Sequence, residues 1–212
     1  MTAAAPLPGV APSPWAAPEV PLDTEVELLA AEWVRPYDQA LHLMRARDWL
    51  VQLNPIATVE MRVAAMTHDI ERMFPGGPRL DHATMEWDSP FYLYPHSLRS
   101  AESVGVWLAG IGPVAAQVDL REVRRLVGLH EVGGLRGADD VQAGDSLSFL
   151  ETLAGLTRDW VASGACSRDK AAEKLVYMAE RIRVPAAQEL AGPWLEWALD
   201  QLPAGVVLEE GR

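Results

Sequence analysis

Between Asp23 and Leu202 the apolar residues of this 212-residue chain recur at helical spacing, and no alternating strand pattern of useful length interrupts them. Amphipathic helices without a sheet must bury their stripes against one another, so the expected fold class is all-α. Prolines, glycines and capping residues set the expected boundaries. Asp23 or Thr24 can cap a helix to about Val34. Pro36 opens the next, to about Leu53, with Tyr37, Leu41, Met44, Trp49 and Leu50 at helical spacing. After the Asn54-Pro55 break, Ile56 to about Met73 reads as a mostly buried helix that ends before Pro75-Gly76-Gly77-Pro78. Arg79 to Tyr94 is polar and irregular. Pro95 opens a helix to about Ala109, and Asp119 caps one to about His130. Gly133, Gly134 and Gly137 form a loop, and Asp139 or Asp140 begins a helix to about Trp160. Ser167 caps a helix to about Ile182, and Pro185 starts the last, to about Leu202.

These elements make one domain, 23–202, between a flexible Ala/Pro-rich arm, 1–22, and an irregular tail, 203–212. In the arm, six prolines from Pro6 to Pro21 fix φ and remove backbone donors, and Trp15 is a candidate to dock on the body. No apolar run approaches the roughly 18–20 residues that a membrane span requires. Met1 to Leu22 lacks the basic and apolar regions of a secretory leader. No membrane partner is therefore expected.

The formal net charge is −12, and Lys170 and Lys174 are the only lysines. Nucleic-acid binders carry a basic patch or stripe, so a nucleic-acid polymer is an unlikely partner. A small phosphorylated molecule stays open, because a single metal-centred charge can hold it. Cys166 is the only cysteine, which excludes an internal disulfide and a Cys-based zinc site. It reads as a helix-border residue without a role, and its solitude fits a reducing cytoplasm. A homodimer is a common state and is expected here.

The chemistry-bearing residues are few. His68-Asp69 closes the apolar run Val63-Ala64-Ala65-Met66-Thr67. A charged pair there is costly to bury unless something neutralises it, and a bound cation does so. Imidazole nitrogen with carboxylate oxygen suits Mn²⁺, Fe²⁺, Co²⁺ or Zn²⁺. An adjacent His-Asp pair is a weak signal alone. Its company strengthens it: His42 precedes by one helix, and Asp145 follows some helices later, flanked by small residues and then a largely apolar run. Taken singly, His42 reads as a satisfied core histidine; in this company it reads as a ligand.

The order His42, then His68-Asp69, then Asp145 resembles the HD superfamily of metal-dependent phosphohydrolases, over about Leu41 to Arg181. His42-Leu43-Met44-Arg45 looks like its first-helix pattern, Ala64 to Ile70 like its run into His-Asp, and Lys174 to Ile182 like its later helix with a basic residue facing the site. The spacing of His96 and His130 is similar to the subgroup that holds two metals. The resemblance implies an HD-type helical bundle in which His42, His68, Asp69 and Asp145 hold a first ion. His96, His130 and a bridging Asp69 would hold a second. The ion is divalent, with Ni²⁺ and Mg²⁺ added to the four above.

The implied activity is hydrolysis of a phosphate ester of a nucleotide or another small phosphorylated molecule. A metal activates water near neutral pH and draws charge from phosphoryl oxygens. Asp69 would hold the water or accept its proton, and Lys174, Arg45 and Arg72 would bind phosphoryl oxygens, with pairing to surface acids the equal alternative for the two arginines. Departures are Glu131 after His130 and Glu71-Arg72 after Ile70. Glu71 and Glu131 read as ordinary surface acids, His82 as a loop residue, and Trp87 as part of a lid. Rival readings are an oxygenase with paired iron on the same fold, a non-catalytic metal-containing binding protein, and a helical structural protein with coincidental histidines.

Overall fold

The computed structural model describes residues 19–203; residues 1–18 and 204–212, with Trp15 and most of the expected arm and tail, lie outside the described residues. Nine α-helices and no strand occur among the described residues. They are α1 (Glu25–Val34), α2 (Ala40–Leu53), α3 (Val59–Thr67), α4 (Pro90–Gly110), α5 (Leu120–Leu129), α6 (Ala138–Ser148), α7 (Ala154–Ala162), α8 (Arg168–Glu180) and α9 (Pro185–Asp200). Three caps are the ones expected, whereas α3 is capped by Thr58 and α6 follows Gly137 with no side-chain cap. Thr24, Asp119 and Ser167 each accept a hydrogen bond from a backbone amide of the first turn.

Four boundaries differ from the sequence reading, each for a local reason. The helix expected from Pro36 begins at Ala40, because the Tyr37 and Ala40 amides close a turn on the Val34 and Tyr37 carbonyls. The long helix expected over Ile56–Met73 ends at Thr67 and resumes as a 3-10 turn, Ile70–Met73. At the break, the Thr67 hydroxyl donates to the Val63 carbonyl at 2.7 Å and the His68 ring takes the Ala65 carbonyl at 2.9 Å. Both carbonyls are thereby engaged by side chains at the helix end. Pro95 lies inside α4, which starts five residues earlier with Pro90 in its first turn. The carbonyl that Pro95 leaves without a partner belongs to Phe91, which is 87% exposed, so water can replace the lost bond. The helix expected to Trp160 is interrupted by a π turn, Phe149–Leu153, between α6 and α7.

Two apolar clusters share the interior. One gathers residues of α1 to α5, among them Leu43, Val63, Ile70, Val104 and Leu126. The other gathers α7, α8 and α9 around Trp49, Leu147, Leu175 and Trp194. Helices α2 and α6 contribute to both and pack closely side by side. Their approach depends on Gly144: a Cβ there would stand 2.5 Å from the Ala46 carbonyl oxygen. The buried Arg47 of α2 pins the approach to α1 by donating to the Val20 and Pro21 carbonyls at 2.8 and 3.0 Å and to Glu27 at 2.9 Å. No described helix is long and apolar enough to cross a membrane.

Candidate metal centre

Six side chains from five segments meet between the two clusters. His42 comes from α2, His68 and Asp69 from the break after α3, His96 from α4, His130 from the end of α5, and Asp145 from α6. All six are buried. Asp145 Oδ1 lies 3.3 Å from Nε2 of both His42 and His68. Asp69 Oδ1 lies 2.8 Å from His96 Nε2, 3.5 Å from His130 Nε2 and 3.8 Å from His68 Nε2. Donor atoms fall into overlapping sets within 4.8 Å of one another, and each set can hold a metal ion: His42, His68 and Asp69; His68, His130 and Asp145; Asp69, His96, His130 and Glu131.

The ring orientations test whether these sets suit a cation. Ser148 Oγ donates to the His42 carbonyl at 2.7 Å, so its lone pair is left to accept from His42 Nδ1 at 2.9 Å. His68 Nδ1 donates to the Ala65 carbonyl at 2.9 Å, and His130 Nδ1 to the Val127 carbonyl at 2.7 Å. His96 Nδ1 faces Glu71 Oε1 at 2.9 Å. In every ring the outer nitrogen is held by an acceptor and Nε2 faces the shared carboxylates. That is the arrangement by which proteins fix the tautomer of metal-ligating histidines. The Nε2 atoms of His68 and His130 are buried and lack any hydrogen-bond partner. Orphaned buried nitrogens are costly unless an ion or water engages them. The residues present fit a divalent cation.

Charge is arranged to match. Burial opposes charge on Asp69, yet Arg72 and the neighbouring imidazoles hold its carboxyl well below the usual range. Burial acts the same way on Asp145, and Arg181 and His68 outweigh it. Glu131 is brought down to about 2 against burial, by Arg181 first and His130 next. Burial disfavours a charged His68, but the Asp145 and Asp69 carboxylates win and push its imidazole up to about 9. The pocket thus takes up a positive charge on its own imidazole. Each floor carboxylate also has an arginine: Arg72 Nη1 lies 2.7 Å from Asp69, Arg99 Nε lies 3.2 Å from Glu71, and Arg181 grips both Asp145 and Glu131.

Above this floor opens a cleft of about 440 Å³. Arg72, Lys174 and Arg181 line it, as do His82, Trp87, Phe149 and Trp160. Lys174 Nζ sits 5.1–5.4 Å from the ring centres of Trp87, Phe149 and Tyr177. It makes no hydrogen bond or ion pair among the described residues, and burial lowers its pKa to about 8. Trp87 is buried and donates to the Lys170 carbonyl at 3.0 Å, so it forms a wall of the cleft. His82, read as a loop residue, lies tilted at 34° against Trp160 within that wall, ring centres 4.1 Å apart.

Two readings of the sequence need correction. Glu71 and Glu131 are buried, not surface acids. The 3-10 turn swings Glu71 behind His96, and the chain reversal after α5 brings Glu131 to Arg181 and the cluster. The available signal was an acid directly after His130 and ahead of a glycine loop. Arg45 does not line the cleft: it points to Asp48 at 2.9 Å and Glu151 at 3.0 Å. The π turn brings Glu151 within its reach. Arg181, which the sequence reading placed only within a helix facing the site, grips two carboxylates of the floor.

Fold and site together define an all-α protein with a buried His/Asp/Glu cluster that can hold a metal ion. No protein-family model matches the chain, and comparison with curated proteins and with solved structures finds no significant match.

Proposed function

We propose that this chain is a metal-dependent phosphohydrolase of the HD type, acting on a small phosphate ester. The observation that supports the reading most is the common orientation of four imidazoles, each with Nε2 turned toward Asp69 or Asp145 and its other nitrogen held from behind. His42, His68, Asp69 and Asp145 would hold one ion, and Asp69, His96, His130 and Glu131 a second. A bound divalent cation supplies Lewis acidity, which activates water and withdraws charge from phosphoryl oxygens.

The chain's own groups do the rest. Lys174 Nζ, without an anionic partner, neutralises a phosphoryl oxygen as charge develops on it. Arg72 keeps Asp69 ionised through a 2.7 Å contact. A carboxyl held that far below its usual range is a poor proton acceptor, so the role supported for Asp69 is that of a ligand that would hold a metal.

The test is metal analysis of the purified protein, then phosphate release from small phosphate esters with Mn²⁺, Co²⁺ or Mg²⁺. Bound metal with phosphate release that Asp69→Asn abolishes is the expected result. Bound iron with O₂ consumption and no phosphate release would replace hydrolysis by oxygenation.

A further inference from the structure

The cleft is amphipathic from floor to mouth. Its floor is charged, whereas its walls include Leu80, Phe149, Leu153, Leu156 and Trp160. The cations it can spare are few. Arg72 is spent on Asp69, and Arg181 on Asp145 and Glu131. Lys174 is the one cation beside the aromatic wall that pairs with no carboxylate among the described residues. Arg79 also lines the cleft, but it is an exposed residue. Its guanidinium, like that of the exposed Arg72, is open to water, which weakens its hold on an anion.

A chain of two or three phosphates carries several negative charges, and each desolvated charge requires a partner. Beside the aromatic wall the cleft offers one half-buried cation free of any carboxylate among the described residues, Lys174, and then apolar surface. Gln39, Arg79 and His82 are the lining groups away from the floor that could read the hydrogen-bonding edge of a nucleobase, whereas Leu80, Phe149, Leu153, Leu156 and Met178 cannot. A site that leaves a ligand's polar edge unpaired discriminates against that ligand.

We propose that the cleft selects a phosphate monoester whose ester body is apolar and aromatic, in preference to nucleoside di- and triphosphates. This rests on the hydrolase reading above for the fate of the bound ester. The phosphate lies between the metal floor and Lys174, and the body lies along Leu156 and Trp160. In the reaction, a water oxygen bonds to phosphorus while the ester oxygen–phosphorus bond breaks. The ester oxygen departs with the bonding pair and takes up a proton, giving an alcohol and inorganic phosphate with no redox change.

The experiment measures binding, so that it is separable from turnover. Calorimetry and tryptophan fluorescence on the Mn²⁺-loaded protein compare 1-naphthylmethylphosphonate, methylphosphonate, ADP and ATP. The naphthyl ligand is expected to bind about tenfold or more tightly than each of the others, from apolar burial along the wall. Trp160→Ala and Leu156→Ala are expected to remove most of that preference, the naphthyl ligand losing far more affinity than methylphosphonate, with circular dichroism verifying their folding. Lys174→Gln is expected to weaken all four ligands. ADP or ATP binding as tightly as the naphthyl ligand would overturn the proposal, as would equal affinity for the naphthyl and methyl phosphonates. Selective naphthyl binding with no phosphate release from 1-naphthyl phosphate supports the selection and removes the hydrolase reading instead.

Discussion

On the α2–α6 side of the metal centre the imidazoles lean on neutral groups: His42 on the Ser148 hydroxyl and His68 on the Ala65 carbonyl. Their meeting with Asp145 depends on how closely two helices approach, and Gly144 sets that approach. On the α4–α5 side, His96 leans on a carboxylate, Glu71, itself held by Arg99, and Glu131 is gripped by Arg181. Arg181 also grips Asp145, and His130 leans on the neutral Val127 carbonyl, so the contrast lies behind His42 and His68 on the first side, which neutral groups back, and behind His96 on the second, which a carboxylate backs. A volume change should therefore damage the first side, and a charge change the second.

Asp69 belongs to both sides, so its loss should have the largest effect. Asp69→Ala is expected to lower metal-dependent phosphate release by about a thousandfold or more, because two of the three donor sets lose a ligand with it. Metal content per chain should fall in the same preparation. Next comes Gly144→Ala. Its Cβ would meet the Ala46 carbonyl oxygen at 2.5 Å, so α2 and α6 must separate. Overpacking of this kind costs about 1–3 kcal/mol, read as a lower midpoint in urea. A midpoint equal to the parent's would mean that packing does not govern that side.

Glu71→Gln tests the charged side. It keeps the volume but removes the carboxylate behind His96, and metal affinity is expected to fall about 10–100-fold with little loss of stability. Ser148→Ala removes only a neutral acceptor behind His42. A smaller loss is expected, about 0.5–1.5 kcal/mol in metal binding. If the two variants lose equal affinity, the contrast between the sides is wrong.

The smallest effect is a proton. In the metal-free protein His68 is held up at about 9, above the ordinary histidine value. Its charged form therefore contributes stability that is full below about pH 6.5 and lost as pH rises through about 9. A metal requires the neutral ring, so metal added at pH 7 should expel about one proton. Calorimetry in buffers of different ionisation heat measures that release. Metal affinity should rise with pH up to about 9.

The sequence carried the helices well because proline, glycine and capping residues mark their ends independently of packing. It carried the order His42, His68-Asp69, His96, His130, Asp145, and the structure brings these residues to one place. What it hid depends on local backbone departures. A 3-10 turn decides that Glu71 faces inward, and a π turn decides that Glu151 meets Arg45. Neither departure leaves a periodic trace in apolar residues. Glu131 and Arg181 recognise each other across a separation of fifty residues, which no local spacing reveals.

The arginines set against the floor carboxylates bear on the life of the chain before any ion arrives. A small metallo-domain whose ligands lack internal counter-ions folds only as the ion binds. Here Arg72, Arg99 and Arg181 already quiet the acids, and His68 can carry a proton in the ion's stead. The polypeptide can therefore be made, folded and kept waiting, with loading as a separate, later event.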